Sequence, residues 1–318
     1  RRMAARALRA AAALVCAAAL RLDGGEALGG APEKEARGHR RQTLADSAGA
    51  QTRPEALHRG DFTPRLAIIK FPRTGSTLMM KRLEDVVCSS KACEELWVPE
   101  IFDQICPATA DCDAKAALSL IRRHSSCSGG GGCGWSLNLF KHQHAGLRMW
   151  PEIVKVMAAQ PMTVVFLTRK DPIAQVVSYA VGTERKALLK SAEAQHRFGA
   201  GVCSAYQFYN CPPQVVEWVN NRTYFDLDLR QMNDEVLRSQ RETRTYKQLE
   251  ADLRKMALPN LNIIHTTYED LHQKDAWNKI FEAVGRPAAE APKMVQSNYS
   301  RFISNWANVV AYSRLKGL

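Results

Sequence analysis

The segment LAIIKFPRTGSTL, residues 66–78, decides how this chain folds. Its first part, Leu66 to Phe71, is a short apolar run with β-branched residues, bounded by Pro64 and Pro72, and it predicts a buried strand. After a turn at Gly75, apolar residues recur near helical spacing at Leu78, Met79, Leu83, Val86 and Val87. A buried strand that leads through a glycine turn into a helix is typical of an α/β domain.

Three further strands are predicted downstream, at residues 136–141, 163–168 and 261–266. The third strand of the chain is followed by a helix that begins at Asp171-Pro172, a capping side chain followed by proline at the first helical position. Two more helices are predicted, over residues 234–256 and around Trp277, the latter ending at Gly285. Strands that alternate with helices predict a three-layer α/β domain with a central, largely parallel sheet.

The N-terminal 63 residues are predicted to lie outside this domain, which spans residues 64–318. Four arginines precede an apolar run from Ala10 to Leu20, the length of a signal-peptide core, so residues 1–23 are a signal peptide or an N-terminal membrane anchor. An organelle transit peptide and an ordinary Ala-rich helix are the alternatives. Residues 24–63 lack apolar periodicity, which predicts a disordered stem, with a surface helix as the alternative.

The cysteines agree with a secretory location. Beyond the leader they fall in four close pairs: Cys88 and Cys93, Cys106 and Cys112, Cys127 and Cys133, and Cys203 and Cys211. Close pairs predict disulfides between neighbours. A zinc site is the rival interpretation, but it would be expected to contain a CxxC pair, and the sequence has none. Glycosylation acceptors at Asn221-Arg222-Thr223 and Asn298-Tyr299-Ser300 further predict a glycoprotein of the secretory lumen.

The net charge of +12 predicts an anionic partner. Nucleic acid, an acidic polysaccharide or a polyanionic cofactor would each satisfy that charge. The sequence has neither a basic helix with interleaved aromatic residues nor the spacing of a zinc finger. No nucleic-acid partner is therefore predicted.

The turn between the first strand and its helix has the composition of an anion site. Free N–H groups at a helix start and the hydroxyls of Thr74, Ser76 and Thr77 would surround an anion, while Gly75 allows close approach of the backbone. Arg73 adds a fixed positive charge. No Gly-Lys pair precedes Ser76 or Thr77, as the P-loop of nucleotide triphosphatases requires, so a kinase is the less favoured enzyme.

The segment 71–78, FPRTGSTL, resembles the 5′-phosphosulfate loop of sulfotransferases that use 3′-phosphoadenosine 5′-phosphosulfate (PAPS). The partner motif of that family, an Arg at a strand end and a Ser on the next helix, has its counterpart in Thr168 to Ser178, TRKDPIAQVVS. Lys170 departs from the commoner Arg-Asp-Pro form, and the pattern is most similar to the trehalose sulfotransferase branch. Residues 268–271 and 301–306 also resemble late segments of the family.

The resemblance implies a P-loop-like sulfotransferase fold and a reaction that moves a sulfonate group from PAPS to a hydroxyl group, without a metal. It implies that Arg73, Thr74, Gly75, Ser76, Thr77 and Leu78 hold the 5′-phosphosulfate. Arg169 and Ser178 would hold the 3′-phosphate. With the leader and the cysteines, it also implies the Golgi lumen or membrane, or secretion.

The proton of the acceptor hydroxyl needs a base. A Cys-x-Glu-Glu segment of tyrosylprotein sulfotransferases resembles Cys93-Glu94-Glu95 and supplies the base from its second Glu, so the resemblance implies Glu95, with Glu94 as the alternative. Cytosolic sulfotransferases instead use the His of a Lys-x-His segment. Here Gln143 stands at that position and His142 and His144 flank it, which makes these two histidines further candidates.

The acceptor is expected to be a carbohydrate, because of the similarity to the trehalose branch, or a glycolipid or other glycoconjugate. The similarity around Glu94 and Glu95 indicates a protein tyrosine as the alternative. An alternative of another class is a lumenal nucleotide- or glycan-binding protein without catalysis. The candidate cofactor residues argue against it, since they have little use without a ligand.

Overall fold

The computed structural model describes residues 64–88, 97–98, 100–106, 113–127, 132–199, 201, 203, 208, 211–287 and 298–316. The predicted leader and stem fall outside these residues, as do Glu94 and Glu95. The domain boundary predicted at residue 64 therefore stays a prediction.

Five parallel strands form the central sheet, in the order β2-β3-β1-β4-β5. They are β1 (Arg65–Lys70), β2 (Trp97–Val98), β3 (Cys133–Leu137), β4 (Met162–Thr168) and β5 (Leu261–Thr267). The predicted α/β class is confirmed, and within the described residues the sheet is parallel throughout.

Helices cover both faces of the sheet. They are α1 (Ser76–Val87), α2 (Ile101–Ile105), α3 (Ala114–Ser125), α4 (Lys141–Arg148), α5 (Trp150–Ala158), α6 (Pro172–Lys190), α7 (Ala192–Phe198), α8 (Pro213–Arg222), α9 (Leu229–Lys255), α10 (Lys274–Ala283) and α11 (Trp306–Leu315). On one face Leu66 and Ile68 pack with residues of α1 and α10. On the other, Tyr246 of α9 contacts the rings of Phe71 and Phe166. The three predicted layers follow from these two packed faces.

β1 lies at the centre of the sheet, and this position defines where a ligand can bind. Ile69 is in register with Leu137 of β3, and Lys70 is in register with Leu167 of β4. The chain continues from β1 to β2 and β3 on one side, and reaches β4 and β5 on the other. Such a reversal opens a crevice at the carboxyl end of the central strand, where α/β proteins bind their ligands.

Three of the four predicted strands are confirmed to within two residues, whereas the one predicted at residues 136–141 was wrong in its bounds. β3 begins at Cys133 and ends at Leu137, and Lys141 already starts α4. The cause is Gly134, a residue that disfavours strands in sequence-based reasoning. A Cβ at this glycine would lie 2.6 Å from the Trp97 ring, so packing against β2 requires glycine inside the strand.

Two of the predicted disulfides, Cys127–Cys133 and Cys203–Cys211, are confirmed. Cys88 and Cys106 are disulfide-bonded as well, while Cys93 and Cys112 lie outside the described residues. These bridges indicate an oxidising, secretory-type environment. In the described part of the chain, no helix combines the length and the hydropathy needed to cross a bilayer.

Candidate functional site

The loop between β1 and α1 is held by its own side chains. The Thr74 hydroxyl, which is fully buried, donates to the carbonyl oxygen of Phe71 at 2.9 Å. The hydroxyl predicted to face a ligand therefore maintains the shape of the loop. Ser76 is buried at the start of α1, while Thr77 and Leu78 are exposed.

Gly75 is required at the end of this loop for two reasons. Its φ of 80° lies in the left-handed region, which favours glycine. A Cβ there would also lie only 2.8 Å from Cδ2 of Tyr268. No side chain caps the N-terminus of α1, so the first backbone N–H groups of that helix have no capping acceptor. The loop thus presents a helix N-terminus suited to an anion.

The two predicted halves of the anion site are in direct contact. Nη1 of Arg169, which follows β4, donates to the carbonyl oxygen of Arg73 at 3.1 Å. Gln175 of α6 adds a hydrogen bond from Nε2 to the carbonyl oxygen of Pro72, at 3.3 Å. Residues about one hundred positions apart in the sequence therefore meet at the carboxyl end of β1.

Arg73 itself lies against α6. Its φ of 60° is unusual for a residue with a side chain, and its guanidinium rests over Gly182. A Cβ at Gly182 would be 1.7 Å from Nη2 of Arg73, so only glycine permits this contact. Ser178, which is half-buried, stands one helical turn before Gly182 on the same face of α6. The first loop and the predicted 3′-phosphate residue thus share one helix face.

Arg169 is held from the β5 side of the sheet. Its side chain is only 6% exposed, its Nε lies 3.5 Å from a carboxylate oxygen of Glu269, and its guanidinium stacks 4.6 Å from the Tyr268 ring centroid. Tyr268 is anchored in turn by a backbone hydrogen bond to Thr168. The segment after β5 that resembles late sulfotransferase sequence therefore orients Arg169.

A buried ion pair lies on the other side of β1, and no sequence pattern predicts it. Nζ of Lys70 is 2.9 Å from Oε2 of Glu100, and both side chains are 10% exposed. The second carboxylate oxygen of Glu100 accepts a hydrogen bond from the backbone N–H of Asn138, at 3.3 Å. This arrangement joins the carboxyl ends of β1 and β3. Lysine and glutamate far apart in sequence could not be recognised as partners.

Backbone strain is concentrated at this edge of the sheet. His142, Gln143 and His144, which form a kink inside α4, are consecutive residues with positive φ, of 49°, 54° and 63°. With Arg73 they make four of the five non-glycine residues with positive φ in the described ranges, Ala257 being the fifth. Each such residue costs of order 1–3 kcal/mol and is typically retained at binding or catalytic sites. The strain therefore indicates a functional site at the ends of β1 and β3.

His142 is the half-buried member of the histidine pair. Its Nε2 is inaccessible and has no hydrogen-bond partner among the described residues. Burial lowers the pKa of His142, and the positive charge of Lys141 acts in the same direction, while Asp103 and Glu100 oppose both. A neutral imidazole with an unpaired nitrogen can accept a proton. His144 is exposed and packs edge-on against Phe140.

Tyr246 connects α9 to this edge. Its fully buried hydroxyl donates to the carbonyl oxygen of Lys70 and accepts from the N–H of Leu139 at 3.2 Å. The helical spacing of apolar residues predicted an inward-facing Tyr246. The hydroxyl's partners became evident only in the folded chain.

Comparison with known proteins adds no assignment. The sequence matches no model of a known protein family, and no curated protein matches it. No group of three or more histidine, cysteine, aspartate or glutamate side chains within the described residues is arranged to hold a metal ion.

Proposed function

We propose that this protein is a sulfotransferase that moves the sulfonate group of PAPS to a hydroxyl group of a carbohydrate or glycoconjugate. One observation carries the proposal: the hydrogen bond of 3.1 Å between Arg169 and the Arg73 carbonyl oxygen. A bisphosphorylated nucleotide needs two anion sites at fixed separation. The contact supports this arrangement, because it connects the loop at the helix start to the proposed 3′-phosphate residues.

The roles of the residues follow from where charge lies in the reaction. The N-terminus of α1 and Arg73 would hold the 5′-phosphosulfate, and Arg169 and Ser178 the 3′-phosphate. As the bond between the acceptor oxygen and sulfur forms, the bond between sulfur and the 5′-phosphate oxygen breaks, and negative charge develops on that leaving oxygen. Arg73 would stabilise the charge. The proton of the acceptor hydroxyl passes to a base.

Two places in the chain offer that base. The resemblance implies Glu95, with Glu94 beside it, and both lie outside the described residues. His142 is supported by its position in α4, the helix that follows β3, by its strained backbone and by its unpaired Nε2. We propose Glu95 as the base and His142 as the alternative. Substitution of each residue distinguishes the two.

The proposed location is the secretory pathway, with the Golgi as the compartment. The disulfides and the exposure of both glycosylation acceptors, Asn221 and Asn298, support this location. The N-terminal segment is proposed to direct the chain there, as a signal peptide or a membrane anchor.

Thermal unfolding with added nucleotide tests the proposed function. At one hundred times its dissociation constant, adenosine 3′,5′-bisphosphate is expected to raise the Tm by about 5–10 °C, because a ligand that binds only the folded state stabilises it. ATP with Mg²⁺ is the matched comparison. A rise in Tm with ATP and Mg²⁺ but not with adenosine 3′,5′-bisphosphate would favour a kinase. The absence of a shift with either nucleotide would favour a binding protein of another specificity.

Substitution at Gly182 tests the proposed role of Arg73. Gly182→Ala is expected to leave the Tm unchanged or to raise it, since Ala is favoured over Gly within a helix by about 1 kcal/mol. Transfer should nonetheless fall about tenfold or more, because the new methyl group displaces the Arg73 guanidinium. Ala187→Gly, at an exposed position of α6, is the control and should lower the Tm without impairing transfer. Full transfer by Gly182→Ala would contradict the role given to this contact.

A further inference from the structure

Glu242 lies on the face of α9 that is directed toward the loop after β1. Three residues earlier, the Ser239 hydroxyl donates to Oε1 of Gln175 at 3.0 Å, and Gln175 is bonded to that loop. Four residues later, the Tyr246 hydroxyl donates to the carbonyl oxygen of Lys70. Residues three and four apart on a helix share a face. Glu242 therefore stands between two turns that are both anchored to the candidate site.

The direction of α9 places Glu242 beyond the end of the strands. α9 leads into the amino end of β5, which is parallel to the other strands, so it runs from the carboxyl edge of the sheet toward the amino edge. Tyr246 is level with Lys70, the last residue of β1. A step of four residues toward the start of the helix spans about 6 Å. This brings Glu242 to the level of the loop 71–75.

The carboxyl group of Glu242 is largely buried but poorly satisfied. Its side chain is 15% exposed, and Nε of Arg238, at 3.8 Å, is too distant for a hydrogen bond. No other described residue contacts its carboxylate through a hydrogen bond or ion pair. A largely buried carboxylate without a hydrogen-bond donor is costly to keep ionised, and a ligand that supplied a donor would offset that cost.

Burial also changes the proton affinity of this group. It raises the pKa of Glu242 to about 7, against the positive charges of Arg238 and Arg241 and together with the negative charge of Glu235. A donor supplied by a ligand would stabilise the ionised form. The site therefore has an acceptor oxygen available to a bound hydroxyl group.

Aromatic side chains border the same region. The ring centroid of Phe140 lies 5.4 Å from that of Tyr246 and 5.5 Å from that of the exposed His144. Phe140 is half-buried. Tyr246 follows Glu242 by one helical turn, so Phe140 and Glu242 border the same residue of α9. A partly exposed ring and a hydrogen-bond acceptor in one region suit a ligand with an apolar face and several hydroxyl groups.

We propose that Glu242 binds the acceptor substrate, and that this substrate is a polyhydroxylated compound of the carbohydrate class. The carboxylate would accept a hydrogen bond from a hydroxyl other than the one that receives the sulfonate, while Phe140 contacts the sugar ring. This inference rests on the proposed sulfotransferase function. Glu242 forms no covalent bond and takes no proton in the transfer.

Kinetics of Glu242 variants test the inference. The wild type is first tested on a panel of disaccharides composed of glucose, galactose and N-acetylglucosamine, together with a tyrosine peptide and 4-nitrophenol. The disaccharide that it sulfates best then serves as the acceptor. Glu242→Met is close in size but has no acceptor oxygen, and it should raise the KM for the disaccharide about tenfold or more. Glu242→Gln keeps an acceptor oxygen, so its KM for the disaccharide should lie between the values of the wild type and Glu242→Met. Asp234→Asn, an exposed position on α9, is the control and should behave as wild type.

Two further measurements separate binding from structure. The Tm of Glu242→Met should equal or exceed that of the wild type, because the carboxylate has no donor to lose. Its affinity for adenosine 3′,5′-bisphosphate, measured by calorimetry, should be unchanged. An unchanged KM, or a lowered Tm together with weaker nucleotide binding, would overturn the role of Glu242.

The outcome for the wild type distinguishes this inference from the proposed function. Transfer from PAPS to the tyrosine peptide or 4-nitrophenol, but to no disaccharide, would overturn the inference and leave the sulfotransferase assignment standing. Failure to transfer to any compound, with no Tm shift from adenosine 3′,5′-bisphosphate, would overturn both.

Discussion

Glu95→Gln is expected to reduce turnover by about 100-fold or more while leaving the affinity for adenosine 3′,5′-bisphosphate unchanged. The amide cannot take the proton of the acceptor hydroxyl, and general-base catalysis typically contributes 10²–10⁴-fold. The nucleotide is proposed to bind through Arg73 and Arg169, which this substitution does not touch. Turnover is measured with PAPS and the best carbohydrate acceptor, and nucleotide affinity by calorimetry.

His142→Asn is the matched comparison for Glu95→Gln. If Glu95 is the base, this variant should retain most of the turnover, since the imidazole then makes no proton transfer. If His142 is the base, the turnover of His142→Asn collapses and Glu95→Gln stays active. The pH profile of kcat/KM gives an independent readout. With His142 as the base, kcat/KM would fall on the acid side only below the ordinary pKa range of histidine, because burial lowers the pKa of that imidazole.

Arg169→Ala is expected to weaken binding of adenosine 3′,5′-bisphosphate by about 30-fold or more. Removing one partner of a buried charge interaction costs about 2–5 kcal/mol, and here the 3′-phosphate would lose its main cation. The Arg73 carbonyl oxygen would also lose its donor, so the loop after β1 should become less well held. Affinity is measured by calorimetry and compared with that for adenosine 5′-phosphate, which lacks the 3′-phosphate.

Lys170→Ala provides the control for Arg169→Ala. Lys170 is adjacent in sequence, but its side chain is 59% exposed and pairs with Asp270 at the surface. An exposed ion pair contributes little to stability, so this variant should bind the bisphosphate as the wild type does. Equal affinity of Arg169→Ala and the wild type would remove Arg169 from the nucleotide site. An equal loss with adenosine 5′-phosphate would instead indicate a general effect on the loop.

The strands and helices near the site were predictable where their signals are local. β4 contains the apolar run Val164 to Leu167, is buried at every position, and was predicted to within one residue. The cap at Asp171 was also predicted, and its side chain accepts a hydrogen bond from the N–H of Ala174 at 2.8 Å. These features depend on residues close in sequence, so the pattern contains the information. β2, with two residues, is too short for any periodicity.

The candidate site was predictable only as two separate motifs. Residues 71–78 and 168–178 each have a recognisable composition, and the order of strands and helices predicts that both lie at the carboxyl edge of a sheet. Neither motif reveals that the Arg73 guanidinium requires Gly182 or that Thr74 bonds within its own loop. Glu242 in a helix rich in Arg and Glu would be taken for part of a solvated face, and its burial follows from packing.

The α/β class, the glycine turn after β1 and the closely spaced disulfides could be read from the amino-acid sequence, because each depends on periodicity, backbone freedom or short chain separation. The pairing and burial of charged groups emerged from the folded chain: Arg169 meets the Arg73 carbonyl oxygen, Lys70 meets Glu100, and the side chain of Glu242 is largely buried. The physical reason is that burial and pairing of a charged group depend on residues tens to hundreds of positions away, brought together by the parallel sheet.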